Sequence, residues 1–226
     1  MVTRYQRETS NFDRALALVD AVYGFSLTLL ITTIDITDRS AWLSLGDLLA
    51  HHGSELLSFA ISFVVIVAVW RQNHALVGRF TALDPPTIVA NLVAVGLVVF
   101  IPFTTEALGQ PDLQNLPLPI ALYAVNVGAA VLANIVLYQL GLARGLVVDD
   151  EPPRARWFRL ADDLVVPVVM FASVPVTYLA MSLWGDPSAG MLVWLLPVVL
   201  GPVSGRLTER YVRKLRRGDD NPPEQG

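Results

Sequence analysis

Long apolar runs separated by short polar stretches dominate the chain. Six of them can be marked, at about 14–36, 55–78, 86–108, 117–142, 163–184 and 189–208. Each is close to the roughly 20 apolar residues that a membrane-spanning helix requires. Helices are the expected form, because an isolated strand in hydrocarbon leaves its backbone polar groups unpaired. Pro102, Pro167, Pro175, Pro197 and Pro202 fall inside or near the ends of these runs. A helical bundle tolerates them by satisfying the freed carbonyls from neighbouring groups. The segment 40–52 is short and amphipathic, and predicts a piece lying on the outer surface or capping the bundle. No repeat at 20–50 residues is visible.

The first run is the most patterned. Steps of three and four residues collect Arg14, Leu18, Ala21, Phe25, Thr28, Thr32 and Asp35 on one face. A stripe facing acyl chains has no need of two hydroxyls in line, whereas a water-filled path shared between copies of the helix does. Helix packing and hydroxyl bonds to the helix's own carbonyls would account for the same pattern. Leu29 borders this stripe. Asp20 lies on another side, with Leu16, Gly24, Leu27 and Ile31. A carboxylate inside a span is costly unless paired or wet. Its position about two turns from the start of the run favours pairing with neighbouring helices.

Composition agrees with a membrane protein. Among 226 residues, 54% are hydrophobic, only 16% are charged, and mean hydropathy is +0.52. Soluble domains carry about 25% charge. Six spans leave room for short loops and none for a separate soluble catalytic domain. With no cysteine, disulfides and thiolate metal sites are excluded. His51 and His52 fall at the opposite end of a span from His74, so no metal site is expected, and no cofactor.

Charge sets the orientation. Of the sixteen basic residues, only Arg39 falls in the segments that lie outside if the N-terminus is inside. The positive-inside rule then places both termini in the cytoplasm. The outer segments are acidic or neutral, and Asp35 with Asp38 forms a candidate anionic mouth. The basic stretch 206–217 reads as an anchor near anionic lipid rather than a nucleic-acid site. The polar end after Arg217 predicts disorder. The expected domains are a six-helix transmembrane bundle over 1–208 and a tail over 209–226.

The segment Arg14–Leu30, RALALVDAVYGFSLTLL, resembles the signature helix of the transmembrane protein 175 potassium channels, whose pattern is R-x-x-x-F-S-D followed by a Thr-Leu-Leu run. The likeness continues through SFVVIVAVWRQNH at 62–74, Asn91, and IPFTT at 101–105. It covers about the first half of the chain. The sequence departs from the pattern at Leu18 and Val19, which stand where the family has Phe-Ser, and at Phe25, where the family has an aliphatic constriction. The resemblance implies an all-α polytopic protein of the inner cell membrane, with six spans per subunit, assembled as a homotetramer and permeable to potassium and other monovalent cations. It implies a central pore lined by Ala21, Phe25, Thr28, Leu29 and Thr32, and no carbonyl filter. It also implies a packing network of Arg14, Asp20, Trp70, His74 and Asn91. The alternatives are a secondary ion transporter, against which the lack of a repeat counts, and a membrane enzyme, for which the last three spans offer few convergent polar groups.

Overall fold

The computed structural model describes residues 4–7, 9–148, 152–197, 205, 210 and 211. Among these, the helices are α1 (Ser10–Leu29), α2 (Leu45–Val77), α3 (Pro85–Val99), α4 (Ile101–Gly109), α5 (Pro117–Ala143), α6 (Pro153–Asp163), α7 (Val165–Trp184) and α8 (Ala189–Val193). They form five candidate membrane spans: Ser10–Thr33, Leu45–Val77, Pro85–Gly109, Pro117–Ala143 and Pro153–Trp184. The expected sixth span begins with α8, and from residue 198 it lies almost wholly outside the described residues. So do the expected tail beyond 211 and most of the basic stretch 206–217.

Three elements differ from the pattern read along the chain. The amphipathic segment 40–52 is not a separate surface piece. A 3₁₀ turn, Arg39–Trp42, leads into α2, which starts at Leu45 under a Ser44 cap accepting from the Asp47 amide at 3.0 Å. The 33 residues of α2 span about 50 Å, well beyond a hydrocarbon core of about 30 Å. Its first turns therefore project past the bilayer as a polar extension of the same helix.

The third run is two helices meeting at Phe100. Pro102 has no N–H to continue the ladder. Asn126 of α5 covers the break. In the orientation that satisfies both groups, its carboxamide donates to Leu97 O at 3.0 Å and accepts from Ile101 N at 3.1 Å. The fifth run is likewise extended backwards by α6, with the break at Leu164. The Pro167 ring would clash with the carbonyl four residues earlier, that of Asp163.

The middle of the bundle is α5, packed against α7, α3, α4 and α2, while α1 leans on α3 and α2. The main core joins Tyr23, Ile66, Val98, Ile101 and Tyr123. At the arginine-rich end, β1 (Tyr5–Gln6) pairs antiparallel with β2 (Ala82–Leu83), setting Tyr5 opposite Leu83. Arg7 Nη1 donates to Gly78 O at 2.5 Å. Thr81 N donates to Leu146 O at 2.8 Å. The foot of α1 is thus tied to the α2–α3 turn, and that turn to the end of α5.

Candidate functional site: the open face of α1

The buried face of α1 consists of Phe12, Val19, Tyr23 and Ser26, and is continued by Leu30 in the 3₁₀ turn Leu30–Thr33. These recur every three, four or seven residues, as one side of a helix must. The opposite side is open along its length. Arg14, Leu18, Ala21, Phe25, Thr28, Thr32 and Asp35 are all exposed in the subunit, Phe25 at 58%; Leu29 is half-buried at its border. The tighter turn Leu30–Thr33 steps by three residues rather than 3.6, which keeps Thr32 in line with Leu29, and the chain then extends at Ile34 and carries Asp35 beyond the helix.

Both hydroxyls on this face are engaged with their own helix. Thr28 Oγ1 donates to Phe25 O and Thr32 Oγ1 donates to Leu29 O, each at 2.7 Å. A hydroxyl has one hydrogen and two lone pairs. With the hydrogen used inward, the oxygen can only accept from outside. That polarity suits a cation or a water molecule, and a ring of such oxygens offers it without any backbone carbonyl.

The acidic end carries Asp35 and Asp38 beyond this face. The Ser40 hydroxyl and then the Ser40 amide bond Asp38 and hold its carboxyl below the usual range. Exposed carboxylates at the mouth of a conduit raise the local concentration of cations.

The expected five-residue network divides. Trp70 Nε1 donates to Asp20 Oδ1 at 2.9 Å, and the Trp70 and His74 rings lie 5.5 Å apart. Arg14 and Asn91 are not brought to this group. Arg14 stands exposed on the open face. Asn91 belongs to a buried amide cluster in which Asn73 Nδ2 donates to Asn91 Oδ1 at 3.0 Å and to Asn134 Oδ1 at 2.9 Å. The Tyr23 hydroxyl sits beside Asn134. This cluster joins α1, α2, α3 and α5 deep in the bundle. Asn73 and Asn134 were the residues sequence reasoning missed as partners. The usable signal was an amide at mid-span, which demands a partner wherever no water reaches.

A second polar chain crosses the bundle nearer the acidic end. Thr105 Oγ1 donates to Ser62 Oγ at 2.7 Å, and Ser62 Oγ donates to Tyr123 Oη at 3.0 Å. At the basic end Asp84 caps α3 through Thr87 and pairs with Arg144, which ends α5. Burial pushes the Asp84 carboxyl up, but Arg144 and the Thr87 bonds outweigh it and hold the group below its ordinary value. Among the described residues no group of three His, Asp or Glu side chains could hold a metal ion.

Residues 14–102, from Arg14 in the second turn of α1 to the Pro that breaks the third span, match the family model described as endosomal/lysosomal potassium channel TMEM175. A protein of Marivirga tractuosa named potassium channel is 26% identical, over 87% of this chain and 87% of its own. A potassium channel of Chryseobacterium sp. is 24% identical over 55% of this chain and 62% of its own. Among solved structures, a variant of the potassium channel MtTMEM175, crystallised with a nanobody–MBP fusion protein, superposes with a TM-score of 0.52. It covers 92% of this chain and 97% of that one, at 17% identity, a likeness of fold alone. Those relatives are channels and not enzymes, and this protein, with its five candidate membrane spans among the described residues, is similar to them and to the TMEM175 family over residues 14–102.

Proposed function

We propose that the chain is the subunit of a potassium-permeable cation channel in which copies of α1 converge on a central conduit. The carrying observation is the open face of α1. It is continuous from Arg14 to Asp35, lies opposite the helix's buried residues, and presents hydroxyl oxygens whose hydrogens are already used. The names of the relatives support potassium as the ion.

Four copies make the conduit, in a cell membrane, with the arginine-rich ends in the cytoplasm. Phe25 is the hydrophobic constriction and gates by dewetting. Thr28 and Thr32 replace part of the ion's hydration shell, and Ala21 and Leu29 complete the wall. Without a rigid ring of carbonyls the preference for potassium over sodium is modest. Asp35 gathers cations at the outer mouth, and Asp20, through Trp70, holds α1 to α2.

The test is current through a planar bilayer. Phe25→Ala widens the constriction and raises conductance; Thr28→Ala lowers the potassium-to-sodium permeability ratio. If neither substitution changes either quantity, the lining is wrong.

A further inference from the structure

The part of α2 that projects past the bilayer is not polar all round. Trp42 and Leu43, where the 3₁₀ turn Arg39–Trp42 ends, and Leu45 and Leu49, in the first turns of α2, form an apolar patch, with Leu43 77% and Leu45 71% exposed. Leu45 and Leu49 stand four residues apart on one face. That face continues through Ala60 and Val64 into the span, opposite the buried Ser58, Ser62 and Ile66. The patch has a fixed base. Ala41 is fully buried where the turn packs on α2, Trp42 Nε1 donates to Ile36 O at 3.4 Å, and Ser44 caps the helix.

Within the bilayer acyl chains cover an open apolar face; past it they do not. Glu55, paired with His52 at 3.2 Å, marks where hydrocarbon ends on α2, because a carboxylate is costly any deeper. Leu49 and Leu45 lie beyond Glu55 by about 9 and 15 Å along the axis. The headgroup layer is only about 5–8 Å thick on each side, so lipid does not reach Leu45. The rest of the chain does not cover the patch either, because the undescribed stretches adjoin residues placed elsewhere. Residues 1–3 and 8 flank β1, and 149–151 follow Val148, whose amide donates to Arg79 O at 3.0 Å. Residues 198–204 run between Pro197 and Gly205, which both line cavities with Asp162. Residues 212–226 follow Tyr211, whose ring lies 4.4 Å from that of Phe158 in α6, and a charged tail does not cross hydrocarbon to the other side. A second copy of the chain in the same membrane holds its outer end at the same height and can cover the patch without lipid. We propose that Trp42, Leu43, Leu45 and Leu49 form an interface between neighbouring copies of the subunit outside the bilayer, with Trp42 as its large rigid anchor. This rests on the proposed function only in that copies assemble; it assumes nothing about which residues line the conduit.

The test places a nitroxide label through Leu43→Cys or Leu45→Cys in the full chain, reconstituted alone in phosphatidylcholine vesicles. Its collisions with oxygen and with a water-soluble nickel complex are compared with those of the same label at Asp186→Cys, an exposed position in the connection between α7 and α8. The expected result is shielding from both agents, with nickel collisions about five-fold fewer than at Asp186, as at a packed interface. Free access of nickel means water on the patch, and free access of oxygen alone means lipid; either overturns the proposal. A second arm replaces both leucines, Leu43→Ser with Leu45→Ser. Because both are exposed in the subunit, helical content by circular dichroism should stay unchanged, while association of the copies weakens by about ten-fold per leucine, read by mass photometry on dilution in detergent. An oligomer unchanged by the double substitution overturns the interface and leaves the conduit standing. An unsubstituted chain that is monomeric throughout overturns both together. If the double variant does not fold, the label measurement decides.

Discussion

Helices α1 and α5 look alike in composition and behave differently in the fold. Both are uninterrupted apolar spans with a few polar residues, but 61% of the most apolar stretch of the α5 span is buried inside the subunit, against 22% for α1. The α5 helix touches most of its neighbours, and its amides, Asn126 and Asn134, each meet a partner. The α1 helix buries one narrow side and leaves Phe25, Thr28 and Thr32 open. Two apolar spans of similar length therefore need not have equal roles. A helix that spends its polar groups on internal partners holds the subunit together. A helix that leaves such a side open has no partner for it within the described residues, and under the proposed function that side faces other copies of α1.

Substitutions should separate the two helices, and the largest effect belongs to α5 and its partners. Asn73→Leu strips the donor shared by Asn91 and Asn134 and leaves two buried carbonyls unpaired. Stability should fall by about 2–3 kcal/mol, read as a lower melting temperature in detergent and a loss of folded yield. Gly190→Ala belongs with it in kind: an added Cβ would stand 1.8 Å from Thr177 Oγ1, so α8 must move away from α7. A melting temperature equal to that of the unsubstituted protein in both cases would remove the distinction drawn for the interior.

Asp20→Asn tests the joint between α1 and its neighbour. The Trp70 bond survives as a neutral one, about half as strong, so a loss of about 0.5–1 kcal/mol is expected. The ratio of potassium to sodium permeability should hardly change. A large change in that ratio with intact stability would move Asp20 from the joint into the ion path.

The basic end should show a pH signature. The folded Asp84 carboxyl is held below its ordinary value, so the folded state binds this proton more weakly than the unfolded chain does. Its contribution is fully present above about pH 4, near the unfolded value, and is lost as pH falls through the depressed one. Asp84→Asn should therefore flatten the acid limb of a melting-temperature profile and leave slopes near neutrality unchanged. The smallest effect on stability belongs to the open face of α1. Thr28→Val should shift it by no more than about 0.5 kcal/mol, while conductance changes.

Much of this was legible along the chain, for physical reasons that also mark where legibility stops. The helical period placed Phe25, Thr28 and Thr32 together because spacing alone decides which residues share a face. The five described spans follow from apolar length. The start of α2 was hidden, because Asp47, His51, His52 and Glu55 end the apolar run while the backbone continues helical beneath a Ser44 cap. The kink cover by Asn126, which reaches Leu97 and Ile101, and the Asp84–Arg144 pair join residues far apart in sequence, and no local pattern encodes such meetings. Asn91 was expected beside Trp70 because both belong to the family's pattern. The packing turned it instead toward Asn73, three residues further along α2.

The chain has no cysteine of its own, which makes one measurement unusually clean. Single cysteines are placed at each position from Ala21 to Thr32, and the current is followed while a membrane-impermeant thiol reagent is applied. Block is expected at Ala21, Phe25, Thr28 and Thr32, with silence at the buried positions Tyr23, Ser26 and Leu30. Unblocked current in the Phe25→Cys and Thr28→Cys proteins, with block appearing on another side of the helix, would contradict it.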